Sequence, residues 1–165
     1  MNTEIERKFL VKNIDFIKDS YKKHNIKQGF LNSNKNRVVR VRIQNEKSFL
    51  TIKGPSNATG TTRFEWETEI PLHEGLQLFS LCEENRIEKV RYLVKQDTHI
   101  FEVDVFSGKN KGLIIAEIEL ESELEVFEKP SWIGEEVTGI SMYYNTELSK
   151  NPFENWQKKL GLSNE

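Results

Sequence analysis

The sequence predicts a mainly β fold (α+β in the broad sense). It is expected to be a closed antiparallel barrel of eight strands with flanking helices. Three observations carry this. Most of the chain alternates with period two, the strand signature. Short polar turns join several of the alternating runs, which demands antiparallel neighbours. And nearly every run carries charged residues on one face and apolar residues on the other.

The strands are expected, in order, at Glu4 to Val11, Ile26 to Leu31, Val38 to Gln44, Ser48 to Gly54, Arg63 to Ile70, Glu88 to Lys95, His99 to Phe106 and Ile114 to Ser122. Asn45-Glu46-Lys47, Gln96-Asp97-Thr98 and Ser107 through Gly112 supply turns. Helical spacing appears at Asp15 to His24, at Leu76 to Glu84, briefly at Glu123 to Phe127, and at Phe153 to Leu160. Asn151-Pro152 reads as the start of the last, with proline at its first helical position.

The charged faces are sorted by sign. Arg40 and Arg42 share a face of the third strand, Lys53 lies on the fourth, and Lys89 and Arg91 on the sixth. Glu65, Glu67 and Glu69 share the fifth, Glu102 and Asp104 the seventh, Glu117, Glu119 and Glu121 the eighth. The first strand is mixed, with Glu4, Glu6 and Lys8. An open sheet with one wet face would also alternate. Such a face would use serine, asparagine and glutamine, which are scarce here. Sorted charge instead builds a basic wall and an acidic wall.

Six basic side chains (Lys8, Arg40, Arg42, Lys53, Lys89 and Arg91) suit one polyanion, because guanidinium forks and ammonium charges both match phosphate oxygens. Carboxylates gathered from Glu4, Glu6, Glu117 and Glu119 repel one another unless a divalent cation sits between them. Hard oxygen ligands without histidine or cysteine favour magnesium or manganese over zinc. Unit charges about 4 Å apart interact by roughly 4 kcal/mol at an effective dielectric of about 20. So many ionisable groups cannot occupy a dry core.

Bulk composition narrows the field. The 165 residues suit one domain spanning 1–165. With 24 basic and 26 acidic residues, the formal net charge of -2 argues against a nucleic-acid binder. No apolar run reaches membrane-spanning length and no signal-peptide core is seen, so a cytoplasmic protein with no membrane partner is expected. The single Cys82, in an apolar run, reads as a buried small hydrophobe rather than a nucleophile.

Glu4-Ile5-Glu6-Arg7-Lys8 fits an ExExK signature, and further elements follow in order: Gln28-Gly29, Arg40-Val41-Arg42, Leu50 through Gly54, Glu65-Trp66-Glu67, Lys89 through Tyr92, Glu102 through Phe106, Ala116 through Leu120, and Glu136-Val137-Thr138. Over nearly its whole length the chain resembles the CYTH superfamily, the triphosphate tunnel metalloenzymes, and most of all their short bacterial members. The resemblance implies an eight-stranded tunnel and a divalent metal, Mg2+ or Mn2+, on Glu4, Glu6, Glu117 and Glu119. It implies substrate phosphate binding by Lys8, Arg40, Arg42, Lys53, Lys89 and Arg91. Lys8, Lys89, Glu67 and Asp104 stand closest to the chemistry, Glu67 and Asp104 being candidates for the general base. The implied reaction is hydrolysis of a terminal phosphoanhydride, with inorganic tripolyphosphate as the expected substrate and a nucleoside triphosphate as the other phosphate-rich anion. The same scaffold leaves open a class IV adenylate cyclase, a thiamine triphosphatase, or a polyphosphate or nucleotide-binding module without turnover. An exposed edge or face could support a homodimer.

His24, His73 and His99 read as surface histidines, and the glycines at 108 and 112 as turn residues because no helix follows. Trp132, Trp156, Tyr143 and Tyr144 are expected to pack at one end of the barrel.

Overall fold

The computed structural model describes residues 2–157. The elements run β1 (Thr3–Val11), α1 (Phe16–Asp19), β2 (Ser20–Asn32), β3 (Val38–Gln44), β4 (Lys47–Ser56), β5 (Thr62–Ile70), α2 (Leu72–Ser80), β6 (Ile87–Gln96), β7 (His99–Phe106), β8 (Ile114–Glu119), β9 (Ile133–Glu136) and α3 (Asn145–Lys150), with three short 3-10 turns. All strand pairings are antiparallel, in the order β5-β4-β3-β2-β6-β7-β8-β1-β9. A further pairing of β5 with β1 closes eight strands into the expected barrel. That junction is short: Thr3, Glu4 and Ile5 face Phe64, Arg63 and Thr62. Beyond it, β9 takes the same edge of β1 at Phe9 and Val11.

Turn chemistry sets the register of two hairpins. Asn45 and Asp97 adopt positive φ at 54° and 55°, which short polar side chains tolerate best. Gly29 is required for a different reason: a Cβ there would lie 2.7 Å from Cys82 Cβ, so the buried cysteine can press directly onto β2.

Two apolar clusters flank the charged interior. One gathers inward-facing Phe30, Val38, Ile87, Phe106 and Ile115 at one rim with Tyr143, Leu148, Phe153 and Trp156 from the C-terminal segment. This capping packing includes edge-on rings of Tyr143 and Phe153 against Trp156. The other lies beneath α1 and the segment after β8. There Phe16 and Phe101 meet Trp132 at tilted and edge-on angles, and Phe9 and Phe101 meet Phe127 edge-on. Trp132 therefore packs on the outer wall, whereas Trp156 and Tyr143 close an end.

Several expectations need correcting. The helix expected at Asp15 to His24 shrinks to Phe16–Asp19. Ser20 to His24 instead extend β2 against β6, with His24 opposite Arg91, because β6 needs a partner along its length to close the ring. Helix α2 lies four residues earlier than its expected start, at Leu72–Ser80. Glu123 to Phe127 form no helix: Asn57, Thr59 and Thr61 donate to the Glu123 carboxylate, and the Glu121 amide donates to Glu125. Strand β8 ends at Glu119 rather than Ser122, where the Leu120 amide turns to donate to the Ile5 carbonyl. The C-terminal helix is a 3-10 turn at Phe153–Asn155 with Pro152 just before it, and Lys158 to Leu160 lie outside the described residues. Strand β9 and helix α3 were not anticipated.

Candidate functional site

Going round the barrel, the basic strands β6, β3 and β4 lie together with β2, and the acidic strands β5, β8 and β7 lie together with β1. The two walls read from the sequence are thus the two halves of one tube. Lys8 and Arg63 are the cations that the acidic half brings to the lining among the described residues. The halves meet at two seams. At one, Lys53 lies 3.0 Å from Glu4 and 3.3 Å from Glu65, and Glu67 accepts from Thr51 at 2.6 Å, Arg40 at 3.1 Å and Arg42 at 3.3 Å. At the other, Asp104 lies 2.7 Å from Lys89 and 2.8 Å from Arg91, and Glu102 reaches Arg91 at 3.2 Å.

The tube encloses a cavity of about 260 Å³. Of the residues singled out from the sequence, Glu4, Glu6, Lys8, Arg40, Arg42, Lys53, Glu67, Lys89, Arg91, Glu117 and Glu119 all line it. Asp104 does not. It is fully buried behind Lys89 and Arg91, which neutralise it. Its position suits holding those two cations and leaves it no path to a water molecule in the cavity.

The lining also contains residues not assigned to the site from the sequence. Arg63, on the charged face of β5, donates through Nε and Nη2 to the Gly54 carbonyl. Its parity with Glu65 and Glu67 was the available signal. His24 is half-buried, with Nδ1 2.9 Å from Asn45 Nδ2, and burial followed by the nearby Lys22 pushes its pKa down. His99 begins β7, as its expected strand has it, and meets the Glu125 carboxylate, while His73 is exposed. Tyr144, Asn145 and Thr146 enter from the C-terminal cap. Tyr144 is therefore a lining residue as well as a packing one, its ring centroid 4.9 Å from Lys8 Nζ. Asn145 Oδ1 accepts from both Lys89 Nζ and Gln28 Nε2, each at 3.0 Å. No local sequence pattern marks these cap residues.

The carboxylates are held in strained electrostatic company. Burial, then the charges of Glu117 and Glu4, push the Glu6 pKa well up. Burial and a hydrogen bond with Glu4 raise Glu65 to about 7. Burial, then Glu4 and Glu102, raise Glu119. Burial also opposes ionisation of Glu117, but Lys8 and a hydrogen bond from Glu6 outweigh it and its pKa falls. Glu4 and Glu117 thus stay ionised against partners that favour the proton. Among the described residues no three acidic, histidine or cysteine side chains converge into a formed metal cluster. The donor set nevertheless fits a hard divalent cation: carboxylate oxygens crowd one another around Glu4, Glu6, Glu117 and Glu119, and a cation would relieve the repulsion that raises Glu6 and Glu119.

The basic half shows the complementary need. Arg40 Nε and Arg42 Nε are buried donors without a hydrogen-bond partner among the described residues. Burial, then Arg40 and Arg91, lower the Arg42 pKa to about 10, and burial lowers Lys89 to about 8 against the pull of Asp104. Cations forced together away from water, with free N–H groups, form a receptor for an anion of high charge.

Comparison with known proteins agrees with this geometry. The CYTH domain profile matches residues 2–152. The chain is 46% identical to an inorganic triphosphatase of Acetivibrio thermocellus, over 96% of this chain and all of that one. It is 36% identical to an inorganic triphosphatase of Nitrosomonas europaea, over 89% and 97% of the two chains. The crystal structure of an inorganic triphosphatase superposes with a TM-score of 0.62 at 34% identity, covering 88% of this chain and 97% of that one. A protein of Pyrococcus horikoshii, 20% identical and matched over 98% and 92% of the two chains, shares the fold at a TM-score of 0.59. No described helix is long and apolar enough to cross a membrane. A profile match across almost all of the described residues, a closed tube of eight strands and interior charge of both signs place this chain in the CYTH domain family.

Proposed function

We propose that the protein is a divalent-metal-dependent hydrolase that cleaves the terminal phosphoanhydride of a triphosphate, with inorganic tripolyphosphate as its preferred substrate. The observation that carries this is the pairing of unpartnered, buried arginine donors with crowded carboxylates across one enclosed cavity. Its relatives named inorganic triphosphatase support the same reading.

The lining is dominated by charged and polar side chains, and its ring-bearing members among the described residues are Phe30, Tyr144 and His24, the last held by Asn45. Phe30 belongs to the apolar rim and Tyr144 already faces Lys8. That favours a bare phosphate chain over a nucleotide or a thiamine triphosphate, each of which carries a ring needing its own surface.

Arg40, Arg42, Lys53, Lys89, Arg91 and Lys8 hold the phosphate oxygens and neutralise charge that builds as the bridging oxygen leaves. Asp104 fixes Lys89 and Arg91, and Glu67 fixes Arg40 and Arg42, so the cations need little rearrangement on binding. Glu4, Glu6, Glu117 and Glu119 would hold Mg2+ or Mn2+. When bound, that ion would supply Lewis-acid polarisation of phosphate oxygens and lower the pKa of water.

A substrate panel of tripolyphosphate, ATP and thiamine triphosphate, run with a titration of each metal, tests the proposal. Expected is metal-dependent phosphate release, fastest with tripolyphosphate and lost in Lys8→Ala and Glu6→Ala. Metal-independent release, full activity in those variants, or cyclic AMP as the main product from ATP would overturn it.

A further inference from the structure

The turn between β3 and β4 fixes one cavity-lining side chain that the hydrolase reading leaves without a task. His24 lies on the inward face of β2, on the side of the cavity away from Phe30 and the capped rim. Asn45 stands in the turn at positive φ, a position that glycine would meet more easily. Its amide, however, is held at both ends. Asn45 Oδ1 accepts from the Asn25 backbone N–H at 2.9 Å, and Nδ2 lies 2.9 Å from His24 Nδ1. A backbone N–H can only donate, so the amide oxygen must face Asn25 and the NH2 must face His24. His24 Nδ1 must then accept, and the ring proton sits on Nε2.

Among the described residues His24 Nε2–H has no hydrogen-bond partner, and unlike Arg40 Nε and Arg42 Nε it is not sealed from solvent. Its surroundings are basic. Arg91 is its cross-strand partner on β6. Burial, then the charges of Lys22 and Arg91, with Arg42 adding to them, lower its pKa against the pull of Glu102. The Asn45 NH2 opposes a second ring proton in the same sense, because two donors would face each other. His24 is thus an uncharged donor among cations. A metal ion would need a ring lone pair, and the one at Nδ1 is taken by Asn45. An organic cation would be repelled by Arg42 and Arg91. An anionic oxygen satisfies the ring N–H and both guanidiniums together.

Resting on the hydrolase reading above, we propose that His24 is a further substrate-binding residue, donating through Nε2–H to a phosphate oxygen on the side of the cavity away from the cap, and that Asn45 is the positioning residue that fixes its ring. Arg42 and Arg91 supply charge at this seat, and His24 adds direction without adding charge. Its ring takes and gives no proton during the reaction. A contact made equally in the ground state and the transition state acts on KM more than on kcat.

The test compares the wild type with His24→Phe, His24→Gln and Asn45→Gly. Calorimetric titration with tripolyphosphate in EDTA measures binding without turnover, and steady-state hydrolysis with saturating Mg2+ gives KM and kcat. Thermal denaturation and 15N NMR of the ring accompany them. Phenylalanine keeps a planar ring and lacks the donor, whereas the glutamine NH2 reaches the position of Nε2. His24→Phe is expected to raise Kd and KM about tenfold, the worth of one hydrogen bond to a charged group, with a smaller change in kcat and a Tm close to the wild type. His24→Gln should recover most of that loss. At neutral pH the wild-type ring should carry its single proton on Nε2, and in Asn45→Gly the proton should divide between the two nitrogens. A Kd and KM within twofold of the wild type in His24→Phe overturns the proposal. So does equal impairment of His24→Phe and His24→Gln, or a ring protonated on Nδ1. A Tm loss of several degrees alongside weaker binding would make His24 a packing residue and also overturns it. A wild type that binds tripolyphosphate and releases no phosphate overturns the hydrolase reading alone, since the calorimetric comparison still decides this one.

Discussion

Replacing Asp104 with asparagine keeps the shape of the side chain and removes the charge that neutralises Lys89 at 2.7 Å and Arg91 at 2.8 Å. Asp104 is 0% exposed and both cations are buried, so water cannot take its place. Removing one partner of a buried ion pair costs about 3–5 kcal/mol. At about 2–4 °C per kcal/mol for a chain of this size, Tm should fall by roughly 6–20 °C. Burial works against the charge of Asp104, but Arg91 and Lys89 outweigh it and hold its pKa below the ordinary 3.8. Its stabilisation is therefore fully present above 3.8 and fades only as pH falls through the lower folded value, so the penalty should be as large at pH 5 as at pH 7. Differential scanning calorimetry at both pH values measures it. Tripolyphosphate supplies the missing negative charge, so saturating ligand should raise Tm more in Asp104→Asn than in the wild type. A Tm loss under 2 °C, or equal gains from ligand, would refute the assignment of Asp104 as the counter-charge of these two cations.

Other perturbations probe different parts of the molecule. Burial lowers the Lys89 pKa to about 8, and a bound polyanion favours its protonated form. Tripolyphosphate binding near pH 9 should therefore take up a proton, seen by calorimetry in buffers of different ionisation enthalpy, and the uptake should vanish in Lys89→Met. A Cβ on Gly75 would fall 2.2 Å from Ser48 Oγ, so Gly75→Ala should lift α2 from the barrel at a cost of about 1–3 kcal/mol, read as a lowered Tm. Leu148→Ala should cost about 2–5 kcal/mol by opening a cavity beneath the cap, since Leu148 is fully buried, and denaturant midpoints will show it.

The barrel was legible because its strands have one dry and one charged face, and parity alone places Arg40 with Arg42 and Glu117 with Glu119. Closure was legible from charge: more ionisable groups than a dry core can hold demand an enclosed wet space. Local pattern failed where a distant partner decided the outcome. Lys22, Lys23 and His24 have helical spacing, yet the edge of β6 draws them into a strand. The four residues of β9 carry two glutamates and a glycine and gain their conformation from the free edge of β1. The site followed the same division. Side chains on the strands could be assigned by counting in twos, whereas Asn145 and Thr146 arrive from a segment whose place depends on apolar packing at one rim. Asp104 has the right parity, but it pairs so closely with Lys89 and Arg91 that it is withdrawn from the lining.

The C-terminal segment brings Tyr144, Asn145 and Thr146 into the lining above an apolar rim, so substrate is expected to enter and products to leave by the opposite mouth. Whatever fragment forms deepest is trapped behind its sibling until the outer piece departs. Release should then follow a fixed sequence, the outer product before the inner, and whichever of added pyrophosphate or orthophosphate slows turnover by corking the mouth should reveal which terminal phosphate is cleaved.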